Sequence, residues 1–270
     1  MYYQEILSWY YSIYFGDLNS VMKCQLRGVF ILFTLIYRNI LIAPTKQFPV
    51  DNVAATLYPD DAPKELQPVV CIGDGNCLFR AFSMVLFGDE DHHTELRIRS
   101  ICELAKNEKQ YLDNRYLLSL TGASDVVEKL LPGSVHVISK NPSTSYRKEV
   151  LRSVKSKTFA NMWHIFSLAN VLGCTVLSVY PDVQNSGTNR ALMNLRIKPS
   201  TPTSSHQPVS VMWSHCSDTR RKGWGPNHFV PLLPDAQQKA PFSLDRDEFP
   251  SLQECNQRSK RYDYHEEEHR

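Results

Sequence analysis

The sequence predicts an α/β (α+β) protein in which a small mixed or antiparallel sheet is flanked by helices. Three observations lead there. Short β-rich runs recur at 68–72, 174–180, 209–214 and 228–233. Between the first two, apolar residues switch to helical spacing near 78–86, 98–105 and 165–172. Gly or Pro stands where several of these segments should stop: Gly88, Gly173 and Pro181.

Each element has its own reason. Pro68, Val69, Val70, Cys71 and Ile72 read as a strand entered from the Pro/Asp turn at 58–63. A polar turn, Asp74-Gly75-Asn76, then gives way to Leu78, Phe79, Phe82, Val85 and Leu86, a helical stripe closed by Gly88. Ile98, Ile101, Cys102 and Ala105 fall at i, i+3, i+4 and i+7, which predicts an amphipathic helix with Arg97 and Arg99 turned away from its apolar face. Ile165, Leu168, Ala169 and Leu172 predict another, capped by Gly173 and followed by the β-rich run CTVLSVY. VSVMWS and HFVPLL read as two strands joined by a polar loop over 215–227, which with the Pro/Ser/Thr loop at 198–208 should rim a cleft. Arg220, Arg221 and Lys222 in that loop suit either solvent or an acidic partner surface.

Composition narrows the class. Of 270 residues, 42% are hydrophobic and 21% charged, with a formal net charge of +2. That balance is ordinary for a globular protein and offers no basic excess for nucleic acid. The seven cysteines, at 24, 71, 77, 102, 174, 216 and 255, are odd in number and scattered, which suits a reducing compartment. A cytoplasmic or nuclear location is the expectation. Residues 1–55 form an aromatic-rich extension that carries no chemical motif, and 236–270 is a charged, solvated tail. Within the extension, the apolar stretch 28–43 is interrupted by Arg38 and Asn39. A bilayer span needs about 20 mainly apolar residues, so a buried or partner-facing helix is favoured over membrane contact.

Chemistry concentrates at residues 74–77. Cys77 sits where a turn becomes a helix, and unpaired N–H groups there favour a thiolate, so its pKa should fall. Gly75 lets the turn adopt backbone angles closed to other residues, so that its amides can converge on a developing oxyanion. A small core cysteine at an ordinary helix start is the competing account. A nucleophilic cysteine also needs a base, usually a histidine distant in sequence. Of the nine histidines, His228 opens an apolar strand directly after a polar loop, where an imidazole can face a helix N-terminus. His92 and His93 suit a helix start, His164 the inside or outside of a helix, and His265 and His269 the tail. His206, His215 and Cys216 lack metal-binding spacing.

In this order the motifs resemble the ovarian tumour (OTU) family of papain-like cysteine proteases, which are mostly deubiquitinases. DGNCLFRAFS at 74–83 is similar to the family's nucleophile motif. Gly88, His93, Leu96 and Arg97 are similar to its next helix, WHIFSLANVLGCTVLSVY at 163–180 to its tryptophan-led helix and strand, and NHFVPL at 227–232 to its histidine strand. The resemblance covers about 68–235. It implies a papain-like OTU fold with Cys77 as nucleophile, His228 as general base and Asp74 at the active site. Backbone amides of Gly75, Asn76 and Cys77 would form the oxyanion hole. It also implies ubiquitin or polyubiquitin as partner, and no metal or organic cofactor. Two positions depart from the pattern. Val230 stands where many members carry an Asp or Asn that orients the histidine, so that role falls to Asp74, to Asn227 or to another residue. His164 and Ile165 replace the glycines usual after the tryptophan. Three readings follow: a deubiquitinase, a catalytically weak or silent module that binds ubiquitin or another partner, and a protease of ordinary peptide bonds such as a viral or mobile-element polyprotein.

Overall fold

A computed structural model describes residues 48–122, 142–183, 187–202, 208–216 and 225–234. The stretch 28–43, the tail 236–270, the Arg220–Lys222 run, His206, His265 and His269 lie outside them. No helix among the described residues is long and apolar enough to cross a membrane.

The chain opens with α1 (Asn52–Thr56), β1 (Leu66–Pro68), α2 (Cys77–Phe87) and α3 (His93–Lys106). Short helices α4 (Glu108–Tyr111) and α5 (Asn114–Thr121) follow, then α6 (Pro142–Val154) and α7 (Met162–Leu172). The last part holds β2 (Val176–Val179), α8 (Gly187–Met193), β3 (Leu195–Ile197), β4 (Val209–Ser214) and β5 (His228–Pro234). The sheet order is β1-β5-β4-β2-β3. β2 and β4 run parallel and the other pairs antiparallel, so the sheet is mixed as expected.

Strand pleating sends alternate residues to opposite faces, and both faces of the sheet are covered. Val209, Val211 and Trp213 of β4 with Phe229 and Leu233 of β5 join the main core, built with α2, α3 and α7. Met212, Val230 and Leu232 point the other way, into a smaller cluster with Ala54 of α1, Ala62 and Val179. Residues 50–57, which the sequence reading leaves outside the 68–235 module or at its margin, therefore pack directly on its sheet.

Two elements differ from expectation. The first strand lies at Leu66–Pro68 rather than 68–72, continued by a single bridge between Val69 and Val50. The amide of Val69 still reaches the Pro231 carbonyl, but that of Val70 turns to Pro49, so the chain leaves β5 there. Helix α3 is rotated from its expected face. Its buried residues are Leu96, Arg97, Ser100, Ile101 and Leu104, while Ile98, Cys102 and Ala105 are half-exposed. Polar groups steer the turn: Ser100 Oγ meets Ser167 Oγ of α7 at 2.6 Å, and Arg97 is drawn inward by backbone carbonyls.

The predicted caps hold. Gly88 and Gly173 end α2 and α7 in the left-handed region, with φ of 74° and 62°. Asn161 and His164 form a reciprocal cap on α7, the arrangement in which the residue at the cap and the one three later each satisfy the other's amide. His164 is thus a fully buried capping residue.

Candidate active site

The turn before α2 is braced by its own side chains. Asp74 Oδ1 accepts from the Asn76 amide at 2.9 Å, and Oδ2 accepts from Asn76 Nδ2 at 3.1 Å. Arg80, one turn into α2, closes on the same carboxylate through Nε (3.2 Å) and Nη2 (3.0 Å), and its Nη1 reaches Glu90 Oε2 at 3.0 Å. Burial alone would raise the Asp74 pKa, but the Arg80 and Asn76 bonds outweigh it and hold the carboxyl well below the usual range. Asp74 is therefore a brace of the turn before α2. Arg80 and Glu90 went unnoticed in the sequence, although the six-residue step from Asp74 to Arg80 lies inside the motif.

Of the three amides expected to form an oxyanion hole, that of Asn76 is engaged by Asp74. Those of Gly75 and Cys77 make no hydrogen bond among the described residues. Gly75 has φ of +82°, and a Cβ there would lie 2.1 Å from the Lys157 carbonyl oxygen. Asn76 Oδ1 takes the Lys157 amide at 3.2 Å, so the 155–158 segment lies directly over the turn. Gly75→Ala is expected to cost about 2 kcal/mol or more, since the backbone angle and the contact both oppose a side chain. A urea midpoint equal to that of the unmodified chain would overturn this account.

Arg97 holds the same junction from beneath. Its Nη2 donates to the carbonyls of Gly75 (2.9 Å) and Thr158 (2.7 Å), and its Nη1 to that of Ser153 (2.8 Å). The guanidinium carbon stands 4.5 Å from the centroid of the Phe79 ring. Expected to face away, Arg97 is instead 1% exposed. Helical periodicity could not have shown this, because the guanidinium is drawn inward by carbonyls and not by apolar surface.

Cys77 is the first residue of α2 and is buried. Here the expected fall in pKa is reversed. Burial pushes the thiol up to about 11, and the amides of Phe229 and Leu78 only partly counter it. The helix N-terminus favours the thiolate as argued, but loss of water around the sulfur outweighs it. The Phe229 amide that acts on the sulfur belongs to the residue after His228, so the turn before α2 and the start of β5 meet.

His228 opens β5, opposite Ser214 of β4, and is also buried. Its Nδ1 has no hydrogen-bond partner among the described residues. Burial lowers its pKa, while the Asp51 carboxylate and then the Cys71 backbone carbonyl work in the opposite direction. A Cβ on Gly73 would lie 3.4 Å from His228 Nδ1 and Cε1 and 3.0 Å from Cys216 Sγ, so ring and second sulfur share the floor formed by Gly73. Cys216 is an exposed free thiol. Asn227 closes the base of the loop before β5: its Oδ1 accepts the Cys216 amide at 2.9 Å, and its own amide donates to the Ser214 carbonyl at 3.1 Å. Val230 is fully buried against Ala54 and Met212. Trp163, His164 and Ile165 are core residues.

A buried thiol at a helix start, a histidine opening the adjoining strand and a five-stranded mixed sheet fall together in a fold of OTU type. The family model described as Vertnin, OTU domain, matches residues 68–214, more than half of the chain, and the chain belongs to that family. It is 32% identical over 210 residues to Vertnin of Danio rerio, covering 71% of this chain and 30% of that protein. To Vertnin of Homo sapiens it is 35% identical over 157 residues, covering 56% and 20%. The chain thus spans less than a third of the length of these curated relatives. Among solved structures it is similar to the OTU domain of OTUD1, at 15% identity and a TM-score of 0.38, with 62% of this chain and 85% of that chain covered. It is also similar to the viral OTU domain protease from Qalyub virus, at 16% identity and a TM-score of 0.35, with 63% and 85% covered.

Proposed function

We propose that this domain is a cysteine-type isopeptidase that removes ubiquitin or a ubiquitin-like modifier from lysine. The observation that supports the reading is the meeting of the α2 start with the β5 start, where the amide of Phe229, the residue after His228, acts on the Cys77 sulfur. Burial favours the neutral thiol and the neutral imidazole. An unprotonated imidazole is the form a general base requires. His228 takes the Cys77 proton as the sulfur attacks the isopeptide carbonyl, and the amides of Gly75 and Cys77 receive the oxyanion. The lysine amine leaves with the proton from His228, and water then releases the modifier from the thioester.

Incubation with ubiquitin bearing a C-terminal thiol-reactive electrophile tests this reading. An adduct is expected on Cys77, lost in Cys77→Ala and His228→Ala and retained in Cys216→Ser. An adduct on Cys216 alone would refute the assignment of the nucleophile. A second reading, a silent module that binds ubiquitin, is favoured by Val230 and by the high pKa of the buried thiol. It predicts retained ubiquitin binding with no adduct.

A further inference from the structure

The orienting partner of His228 is missing from its usual place, and the described residues narrow the candidates. His228, Val230 and Leu232 share one face of β5, and Val230 fills its position with buried apolar surface. Asp74 has both oxygens engaged by Asn76 and Arg80. Asn227 Oδ1 is held by the Cys216 amide. Glu90, the next acid nearby, gives Oε1 to the Ile72 amide at 3.0 Å and Oε2 to Arg80.

The face that carries His228 and Val230 is covered by α1, through Ala54. Three residues before Ala54 stands Asp51, the cap of that helix. Its Oδ1 accepts the Ala54 amide at 2.8 Å, and its own amide is pinned to the Pro68 carbonyl at 3.0 Å, beside β5. Its second oxygen makes no hydrogen bond among the described residues. The remaining titratable groups acting on the ring are Glu90 and His215, and the Cys216 thiol shares the Gly73 floor with it. Of the charges that raise the basicity of His228, Asp51 acts most strongly, and it also raises the neighbouring Cys216 thiol.

We propose that Asp51 is the carboxylate that orients His228 and stabilises its imidazolium, in place of the acid absent at position 230. It is a positioning residue, and its part in catalysis rests on the isopeptidase reading. Its second task, capping α1, can be separated by substitution, because Asn caps a helix about as well as Asp. Asp51→Asn thus removes the charge and leaves the cap.

Two measurements on the full chain test it. In an NMR titration of the imidazole resonances, His228 should titrate at lower pH in Asp51→Asn than in the unmodified chain, since the carboxylate favours the charged ring. Labelling of Cys77 by the ubiquitin electrophile should slow at least ~10-fold, a fraction of the loss seen when a protease triad loses its acid. Its acidic limb should also move to lower pH, because a less basic ring stays unprotonated further into acid. An unchanged His228 titration in Asp51→Asn overturns the proposal, whatever the labelling shows. A shifted titration in a chain that never labels supports Asp51 as the partner of His228 and refutes the isopeptidase reading, so the two failures are distinguishable.

Discussion

Arg97→Ala should lower stability by about 4 kcal/mol or more, among the largest losses expected for a single change in this protein. The guanidinium is buried, and its charge is met by carbonyl dipoles and the face of Phe79. Removing it leaves the carbonyls of Gly75, Ser153 and Thr158 without that donor in the interior. Each unsatisfied buried group costs about 1–3 kcal/mol, so even partial relaxation leaves a large deficit. Arg97→Lys should recover only part, because one ammonium cannot reproduce the planar fork that spans the turn and the 153–158 segment. Urea unfolding followed by circular dichroism reads both variants. If Arg97→Lys unfolds at the midpoint of the unmodified chain, the fork plays no part and burial of charge alone explains the site.

Acid should weaken the fold through His164. Burial lowers its pKa to about 3, helped by the Arg97 and Arg152 charges and opposed by the backbone of Asn161. In the unfolded chain the same ring titrates near 6.5. Between these values the unfolded state binds the extra proton, so stability falls as pH drops below about 6.5 and the loss is complete only near the folded pKa. At about 1.4 kcal/mol per unit, moving from pH 7 to pH 5 removes about 2 kcal/mol through this one group. The cause is local. A protonated ring would be repelled by the Arg97 cation, and Phe79 neighbours both side chains, its ring nearly perpendicular to the imidazole at a centroid distance of 6.0 Å. His164→Gln keeps an uncharged partner for the α7 cap, as Gln suits that position. Its stability should therefore fall less between pH 7 and pH 5. Equal losses in the two chains would show that His164 does not carry the effect.

What the sequence made legible follows the physics of each signal. Helix α2 could be read from Cys77 to Gly88, because apolar spacing and a left-handed glycine are both local properties. The same holds for α7 and β5. Cys77 and His228 could be singled out as candidates because each sits at an element boundary with a polar segment before it. Three things were hidden. The inward turn of Arg97 depends on carbonyls some 60 residues away in sequence. The thiol pKa depends on how much water the finished fold removes from the sulfur, which a helix N-terminus alone does not reveal. Asp51 was invisible because it lies in a stretch that shows no motif, and only the sheet face beneath it gives that stretch a purpose.

The central place of β5 in the sheet bears on how this protein can be divided. A fragment trimmed to the family-matched limits, 68–214, would delete the strand flanked by β1 and β4 and the histidine with it. Leu66 and Gln67 of β1 would go too, leaving β4 with a raw hydrogen-bonding edge of the kind that invites intermolecular pairing. Such a piece should be recovered as insoluble aggregate, whereas one running from residue 48 through Pro234 keeps the ladder whole. The workable unit for expression is set by strand adjacency, and sequence similarity alone cuts it short at both ends.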